Sequence, residues 1–149
     1  MKGIELIISD LENTKEAFTK NYYHVVSSDE KKVCKFCAEG LLMKESGMPF
    51  TNKHDGLMYE KFSNQHDNAY NVYYNAVNER YGINIFNTKD KRTSIYEYVN
   101  CYLCEYVLSS LGGVITHLND THSHSHKDTA NHLREMNKIY NLETGKKRE

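Results

Sequence analysis

Apolar residues recur every three or four positions in several segments of this chain, which is the spacing of one helix face. The pattern predicts helices over residues 2–20, 37–44, 64–81 and 127–142. The inward face of the first helix comprises Ile4, Ile7, Ile8, Leu11 and Phe18. These segments account for much of the chain and indicate a mainly α protein.

The longest apolar stripe lies in residues 94–111 and predicts the central helix of the fold. The stripe comprises Ile95, Tyr98, Val99, Tyr102, Leu103, Tyr106 and Val107. Gly112 and Gly113 follow it and supply the flexible backbone at which helices commonly end. We therefore expect the other helices to pack around this segment.

Two short segments favour β structure instead of helix. Residues 22–26 and 33–36 are rich in β-branched and aromatic side chains, and a polar stretch separates them. No internal repeat or low-complexity linker divides the chain. The predicted architecture is a single-domain helical bundle over residues 1–142, with at most a small β-hairpin, followed by a flexible C-terminal tail over residues 143–149.

The charge and composition of the chain argue against nucleic acid and membranes as its partners. The 19 Lys and Arg residues nearly balance the 20 Asp and Glu residues, so no overall positive field draws the chain to nucleic acid. No apolar run approaches the roughly 20 residues of a membrane span, and no signal peptide is visible. We expect a cytoplasmic protein with reduced cysteines. Its abundance of Lys, Asn, Tyr and Ile is typical of an AT-rich genome, such as that of a low-GC bacterium or its phage.

Two Cys-x-x-Cys pairs are the clearest candidates for metal binding. Four thiolates suit tetrahedral zinc, so Cys34 and Cys37 together with Cys101 and Cys104 form one candidate site, and zinc is the one cofactor that the sequence leaves open. The two pairs are much farther apart than the roughly 15–20 residues of compact zinc modules. Because Cys101 and Cys104 also fall within the predicted central helix, the favoured interpretation is that they are small buried core residues. A redox pair at Cys34 and Cys37 is a further alternative, although no βαβ pattern surrounds it.

A histidine-rich segment, residues 117–126, is the second candidate. It contains His117, His122, His124 and His126, and neutral imidazole binds metals and transfers protons. Alternating His and Ser in a polar sequence predicts a mobile, solvated loop that caps the last helix. Two of these histidines could also join Cys34 and Cys37 in a mixed metal site.

Enzymatic alternatives find less support in the sequence. A nuclease-like site at His117, Asn119 and His132 is one hypothesis, which makes the protein a small enzyme with its site within residues 117–132. The motifs of zinc deaminases, zinc proteases, serine hydrolases and P-loop proteins do not occur. The sequence therefore favours a non-enzymatic protein.

Cys37-Ala38-Glu39-Gly40-Leu41-Leu42, together with residues 115–120, resembles a family of small uncharacterised proteins from phages and actinobacteria. In that family, Cys-x-x-Gly-Ala-Leu opens a short helix, and an Asn-Asp pair precedes a Thr-containing loop and a last helix. The positions that fill this pattern are Cys37, Gly40, Leu42, Asn119, Asp120 and Thr129. The resemblance implies no activity. It singles out Asn119, Asp120 and the nearby His117 as a loop of unknown role.

Tyrosine is more frequent than a small core requires. It is favoured at protein interfaces because it gives a large contact area at low entropic cost. The candidates are Tyr22, Tyr23, Tyr59, Tyr73, Tyr74, Tyr96 and Tyr98. We expect a small accessory protein, phage-encoded, that binds a host or phage protein in the host cytoplasm and forms no membrane contact. Whether it is a homo-oligomer stays open, and a structural-zinc protein in nucleic-acid processing is the main alternative.

Overall fold

The computed structural model describes residues 1–20, 24–26, 33–47, 66–86 and 96–149. Within them the fold is mainly α with small β elements, as predicted. The helices are α1 (Ile4–Asn13), α2 (Ala38–Glu45), α3 (His66–Tyr81), α4 (Leu111–His117) and α5 (His126–Ile139), with a π-helical turn at Leu118–His122. The strands are β1 (Ala17–Phe18), β2 (His24–Val26), β3 (Val33–Phe36), β4 (Val99–Asn100), β5 (Val107–Leu108), β6 (Tyr140–Asn141) and β7 (Lys146–Lys147).

Helix α1 follows the predicted apolar spacing but ends at Asn13, earlier than predicted. Its buried residues are Ile4, Ile7, Ile8 and Leu11. This face packs mainly against α5, which turns Leu133 and Met136 into the same core. The amphipathic pattern therefore identified the face that holds the N-terminal and C-terminal helices together.

A three-stranded sheet lies beside these helices, with β3 in the centre. Strand β3 pairs antiparallel with β2, which confirms the predicted small hairpin, and parallel with β1. The chain enters α2 directly after β3, so this sheet fixes the start of α2.

The predicted central helix over residues 94–111 is wrong. Val99 pairs with Leu108 and Asn100 with Val107, so β4 and β5 form an antiparallel hairpin. Val99 and Leu108 are buried while Asn100 and Val107 are exposed, which is the alternation of a half-buried strand. Gly112 and Gly113 lie in the first turn of α4, which begins at Leu111, and do not end a helix. The apolar spacing fitted both structures, and strand pairing decided between them.

The residues predicted as a flexible tail contain β7, which pairs with β6. Gly145, at φ 76°, lies in the turn between these strands, and its N–H donates to the Asn141 carbonyl at 2.7 Å. The assignment of residues 1–142 to one domain stays a prediction. Among the described residues, no helix has the length and apolar character needed to cross a membrane.

Candidate metal centre

The turn of the β4–β5 hairpin carries Cys101 and Cys104. The Cys101 N–H donates to the Tyr106 carbonyl at 2.8 Å, and the Glu105 N–H donates to the Cys101 carbonyl at 2.8 Å. Glu105 adopts a positive φ of 63°, which reverses the chain tightly after the second cysteine. Cys101 is buried and Cys104 is exposed. The two cysteines therefore lie on a turn and not, as predicted, within a helix.

The backbone of this turn also acts on the sulfur of Cys101. Burial raises the pKa of the Cys101 thiol, and hydrogen bonds from the backbone N–H groups of Leu103 and Cys104 oppose that rise. Such N–H groups stabilise a thiolate, which is the form that binds a metal ion.

Helix α4 and the π-helical turn bring His117 and His122 to the hairpin. The helix begins where the Ser110 hydroxyl oxygen accepts a hydrogen bond from the Gly113 N–H at 3.0 Å. His117 is the last residue of α4, and His122 is the last residue of the π-helical turn. In an α-helix two residues five positions apart point about 140° away from each other. The i→i+5 bonding of a π-helix places them nearly above one another, so both rings face one side.

The four side chains converge on one point. The Cys104 Sγ lies 3.2 Å from the His117 Nε2 and 3.4 Å from the His122 Nε2. One ligand atom from each of Cys101, Cys104, His117 and His122 lies within 4.8 Å of all the others. In a tetrahedral zinc site, bonds of about 2.3 Å to sulfur and about 2.0–2.1 Å to nitrogen separate S and N ligands by about 3.5 Å. This cluster can hold a metal ion.

Aromatic rings and hydrogen bonds hold the two histidines in place. The Tyr106 ring stacks on the His117 ring at 5.0 Å, and the His122 ring meets the His117 ring edge-on at 5.1 Å. On the far side of His117, Nδ1 lies 3.5 Å from the Thr121 hydroxyl oxygen. These contacts leave the Nε2 atoms of both rings facing the cysteines.

His132, from α5, supports the cluster from outside. Its Nε2 lies 3.1 Å from the His122 carbonyl oxygen, and its Nδ1 lies 2.5 Å from the Tyr102 hydroxyl. Because a carbonyl only accepts, Nε2 of His132 carries the proton and Nδ1 accepts from Tyr102. His132 thus connects the hairpin, the π-helical turn and α5.

The electrostatic surroundings suit neutral imidazoles. Burial lowers the pKa of His117, and the neighbouring His122 lowers it further, while Asp120 opposes both effects. Burial also lowers the pKa of His122, with smaller effects from His132 and Lys20. Neutral imidazole is the form that coordinates a metal ion.

Cys37 lies outside this group. Its Sγ accepts a hydrogen bond from the Gly40 N–H at 3.3 Å and caps the start of α2. Burial raises the pKa of the Cys37 thiol far above its usual range, so the thiol stays protonated. The side chain of Cys34 lies outside the described residues. A site that joins Cys34 and Cys37 to Cys101 and Cys104, or to two histidines, therefore stays a prediction.

Asn119 and Asp120, which the sequence singled out, lie in the π-helical turn. The buried Asn119 accepts from the Ala38 N–H at 2.9 Å and donates to the Thr19 carbonyl at 3.2 Å. Its side-chain amide also donates to Asp120 Oδ1 at 2.8 Å. Asn119 therefore joins the π-helical turn to the start of α2 and to the segment that follows β1.

The sequence analysis named His122 as a candidate but did not group it with Cys101 and Cys104, because residues 117–126 were predicted to be a mobile loop. The spacing of cysteines and histidines in the sequence does indicate this grouping. The chain reads Cys101, two residues, Cys104, twelve residues, His117, four residues and His122. This spacing is typical of Cys₂His₂ zinc sites, in which a β-hairpin precedes a helix. The predicted metal sites joined Cys101 and Cys104 only to the other cysteine pair, and joined the histidines only to Cys34 and Cys37.

Comparisons of this chain with protein-family models, with curated proteins and with solved structures give no match. The candidate site is therefore interpreted from its own geometry.

Proposed function

We propose that the protein binds one zinc ion through Cys101, Cys104, His117 and His122, and that the zinc has a structural role. The convergence of these four ligand atoms within 4.8 Å carries the proposal. Two thiolates with two imidazoles form a donor set that zinc favours. Because the protein supplies four ligands, a tetrahedral ion has no open position for water or substrate. This argues against a catalytic metal.

The structural role follows from the size of the hairpin. Strands β4 and β5 are only two residues long, and an isolated two-stranded hairpin is marginally stable in water. Its turn provides two ligands, and α4 with the π-helical turn provides the other two. Metal binding would connect these parts, and the free energy of metal binding would then stabilise the fold.

The geometry argues against a helix that reads DNA. In Cys₂His₂ fingers that bind DNA, base contacts come from helix positions −1, 3 and 6, which correspond to Ser110, Gly113 and Thr116. Ser110 caps the helix, and the Thr116 hydroxyl donates to the Glu39 carboxylate at 3.2 Å. Gly113 has no side chain to offer. The face of α4 that would enter the major groove is therefore engaged within the protein.

Charge supports the same conclusion. Residues 93–126 contain no Lys or Arg, and their charged residues are Glu97, Glu105 and Asp120. Nucleic-acid affinity depends on cations that neutralise phosphates, and this segment supplies none. We propose a non-enzymatic, zinc-stabilised accessory protein, phage-encoded and acting in the host cytoplasm, that works through contact with another protein.

Metal analysis of protein purified without a His-tag tests the zinc site. We expect about one equivalent of zinc per chain, lost in Cys104→Ser and in His122→Ala because each removes a ligand. His124→Ala is the matched control. His124 lies in the same histidine-rich segment, outside the cluster, and its substitution should leave the zinc content unchanged.

Cys34→Ser distinguishes this site from the four-cysteine alternative. We expect it to retain zinc. Loss of zinc in Cys34→Ser, with zinc retained in His122→Ala, would show that the four cysteines bind the metal. Wild-type protein that contains no zinc, and takes none up when supplied, would contradict both sites.

A further inference from the structure

Exposed apolar side chains are concentrated on and beside the β4–β5 hairpin, which carries Cys101 and Cys104. Tyr98, Leu103, Tyr106 and Val107 are 74%, 47%, 61% and 56% exposed, and together we call them the hairpin surface. In the described residues, the other large hydrophobic side chains with comparable exposure are Met1 and Ile139. Tyr98 belongs to the tyrosines that the sequence nominated for an interface. Tyr74 and Tyr96 are only partly exposed and pack against the core.

Strand alternation explains why these residues face outward. Val99 and Leu108 point into the core, so their neighbours Tyr98 and Val107 lie on the opposite side of the hairpin. Leu103 lies in the turn between the cysteines. Tyr106 stacks on His117 at 5.0 Å and is therefore held by a residue of the metal cluster. A surface that is fixed in this way loses little conformational entropy when a partner binds.

The size of the hairpin surface favours a short partner segment. A fully accessible aromatic side chain presents about 150–250 Å², and Leu and Val present less. At the exposed fractions given above, the four residues together expose roughly 400–500 Å². That is as large as the biggest apolar patch on a typical monomer. It is well below the roughly 800 Å² per partner of a stable protein interface, which argues against a second copy of this chain as the occupant.

The charges around the hairpin surface indicate the composition of that segment. Glu97 and Glu105 are both exposed. The Glu97 N–H donates to the Thr144 carbonyl at 3.4 Å. Lys146 and Lys147, which form β7, follow Thr144 closely in the chain. Glu105 lies in the hairpin turn, within the segment that has no basic residue. Glu105 immediately precedes Tyr106, so its carboxylate lies at the edge of the hairpin surface.

We propose that the hairpin surface binds a short polypeptide segment of a partner protein, in which apolar side chains alternate with Lys or Arg. The apolar side chains cover Tyr98, Leu103 and Val107, and a cation pairs with Glu105. This proposal rests on the proposed function, because the metal ion fixes the hairpin that presents the surface.

Selection from a displayed library of random 12-residue peptides on zinc-loaded protein tests the proposal. We expect enriched peptides to contain Lys or Arg and large apolar residues and to be poor in Asp and Glu. Their affinities are then measured by fluorescence polarisation. The variant Tyr98→Thr/Leu103→Gln/Val107→Thr should bind at least about 10-fold more weakly, since it removes apolar contact area while keeping a β-branched residue at position 107 of β5.

Two further variants act as controls. Ile139→Thr removes an exposed apolar residue elsewhere and should bind the selected peptides as wild type does. Glu105→Gln should weaken binding several-fold and reduce its dependence on salt. Zinc content is measured for every variant, and the hairpin variant should keep about one equivalent.

Several results would overturn the proposal. They are the absence of enriched peptides, enrichment of acidic peptides, or equal affinity for wild type and the zinc-loaded hairpin variant. Displacement of the peptides by duplex DNA, or a dimer in sedimentation that the hairpin variant abolishes, would assign the surface to another partner. Peptides that bind His122→Ala as tightly as wild type would support the surface and contradict the role of the metal alone.

Discussion

At the scale of single residues, Asn119 shows how a side chain that binds no metal can hold the site in place. It joins the π-helical turn to the first N–H of α2 and to the Thr19 carbonyl. Asn119→Ala leaves the Ala38 N–H and the Thr19 carbonyl without this partner in a buried environment. We expect the free energy of unfolding to fall by about 1–3 kcal/mol, measured by urea denaturation of the zinc-loaded protein.

Asn131→Ala is the matched control for this prediction. Asn131 is exposed on α5, and its side-chain oxygen accepts from Arg134 at 3.0 Å. Its substitution should change stability by less than about 0.5 kcal/mol. If the two variants unfold at the same urea concentration, then Asn119 does not connect α2 to the π-helical turn in the way described.

At the scale of elements, the proposed zinc site predicts that the hairpin depends on the metal far more than the amphipathic helices do. Strands β4 and β5 offer few backbone hydrogen bonds, whereas α1 and α5 share a continuous apolar face. On removal of zinc with a chelator, we expect amide hydrogen exchange to become faster over residues 99–122. Exchange in α1 should change much less, because its core contacts do not involve the cluster. Hydrogen-exchange mass spectrometry measures both regions in one experiment.

A variant that lacks one of the proposed ligands tests whether zinc causes this difference in exchange. The variant His122→Ala should show fast exchange over residues 99–122 even with zinc present, and the chelator should add little. Exchange in the hairpin that stays slow after complete zinc removal would mean that packing alone holds β4 and β5.

The difference between α1 and the β4–β5 hairpin also explains which elements could be predicted from the sequence. Helix α1 was predictable because the spacing of Ile4, Ile7 and Leu11 fits the period of a helix and does not fit the alternation of a strand. In residues 94–111 the apolar residues satisfy a helical period by coincidence, since Val99 and Leu108 face inward from two paired strands. The turn between them contacts His117 and His122 through Cys104, at separations of 13 and 18 residues that a local pattern does not contain.

The candidate site could be predicted only in part, because its geometry also depends on contacts between residues that are remote in sequence. Cys101, Cys104 and His117 were named from their chemistry, but the cysteines were assigned to a helix and His122 to a mobile loop. The π-helical turn that aims His122 at the cluster depends on the bonds of Asn119 to Ala38 and Thr19, which are remote in sequence. The spacing of the two cysteines and two histidines along the chain does contain the grouping that the structure shows.

At the scale of the whole molecule, Glu39 makes global stability depend on pH. It lies on α2, and its carboxylate accepts from the Thr116 hydroxyl of α4 at 3.2 Å. Burial raises the pKa of Glu39 to about 7, the bond from Thr116 opposes this, and Asp120 adds to the rise. An unfolded Glu titrates near pH 4.3. Between these values the folded state binds more protons than the unfolded state, so Glu39 lowers stability as pH rises from about 4.3 to about 7.

Glu39→Gln removes this titration while keeping the shape of the side chain and an oxygen that accepts from Thr116. We therefore expect the variant to be more stable than wild type at pH 8, by on the order of 3–4 kcal/mol, and close to wild type near pH 4.5. Thermal or urea unfolding across this pH range gives the difference, and protonation of the zinc ligands affects both proteins equally. Glu135→Gln, on an exposed i,i+3 pair with Lys138, should show no such trend. A Glu39→Gln difference that is the same at pH 5 and pH 8 would show that Glu39 is already charged at low pH, and that α2 and α4 enclose it less tightly than described.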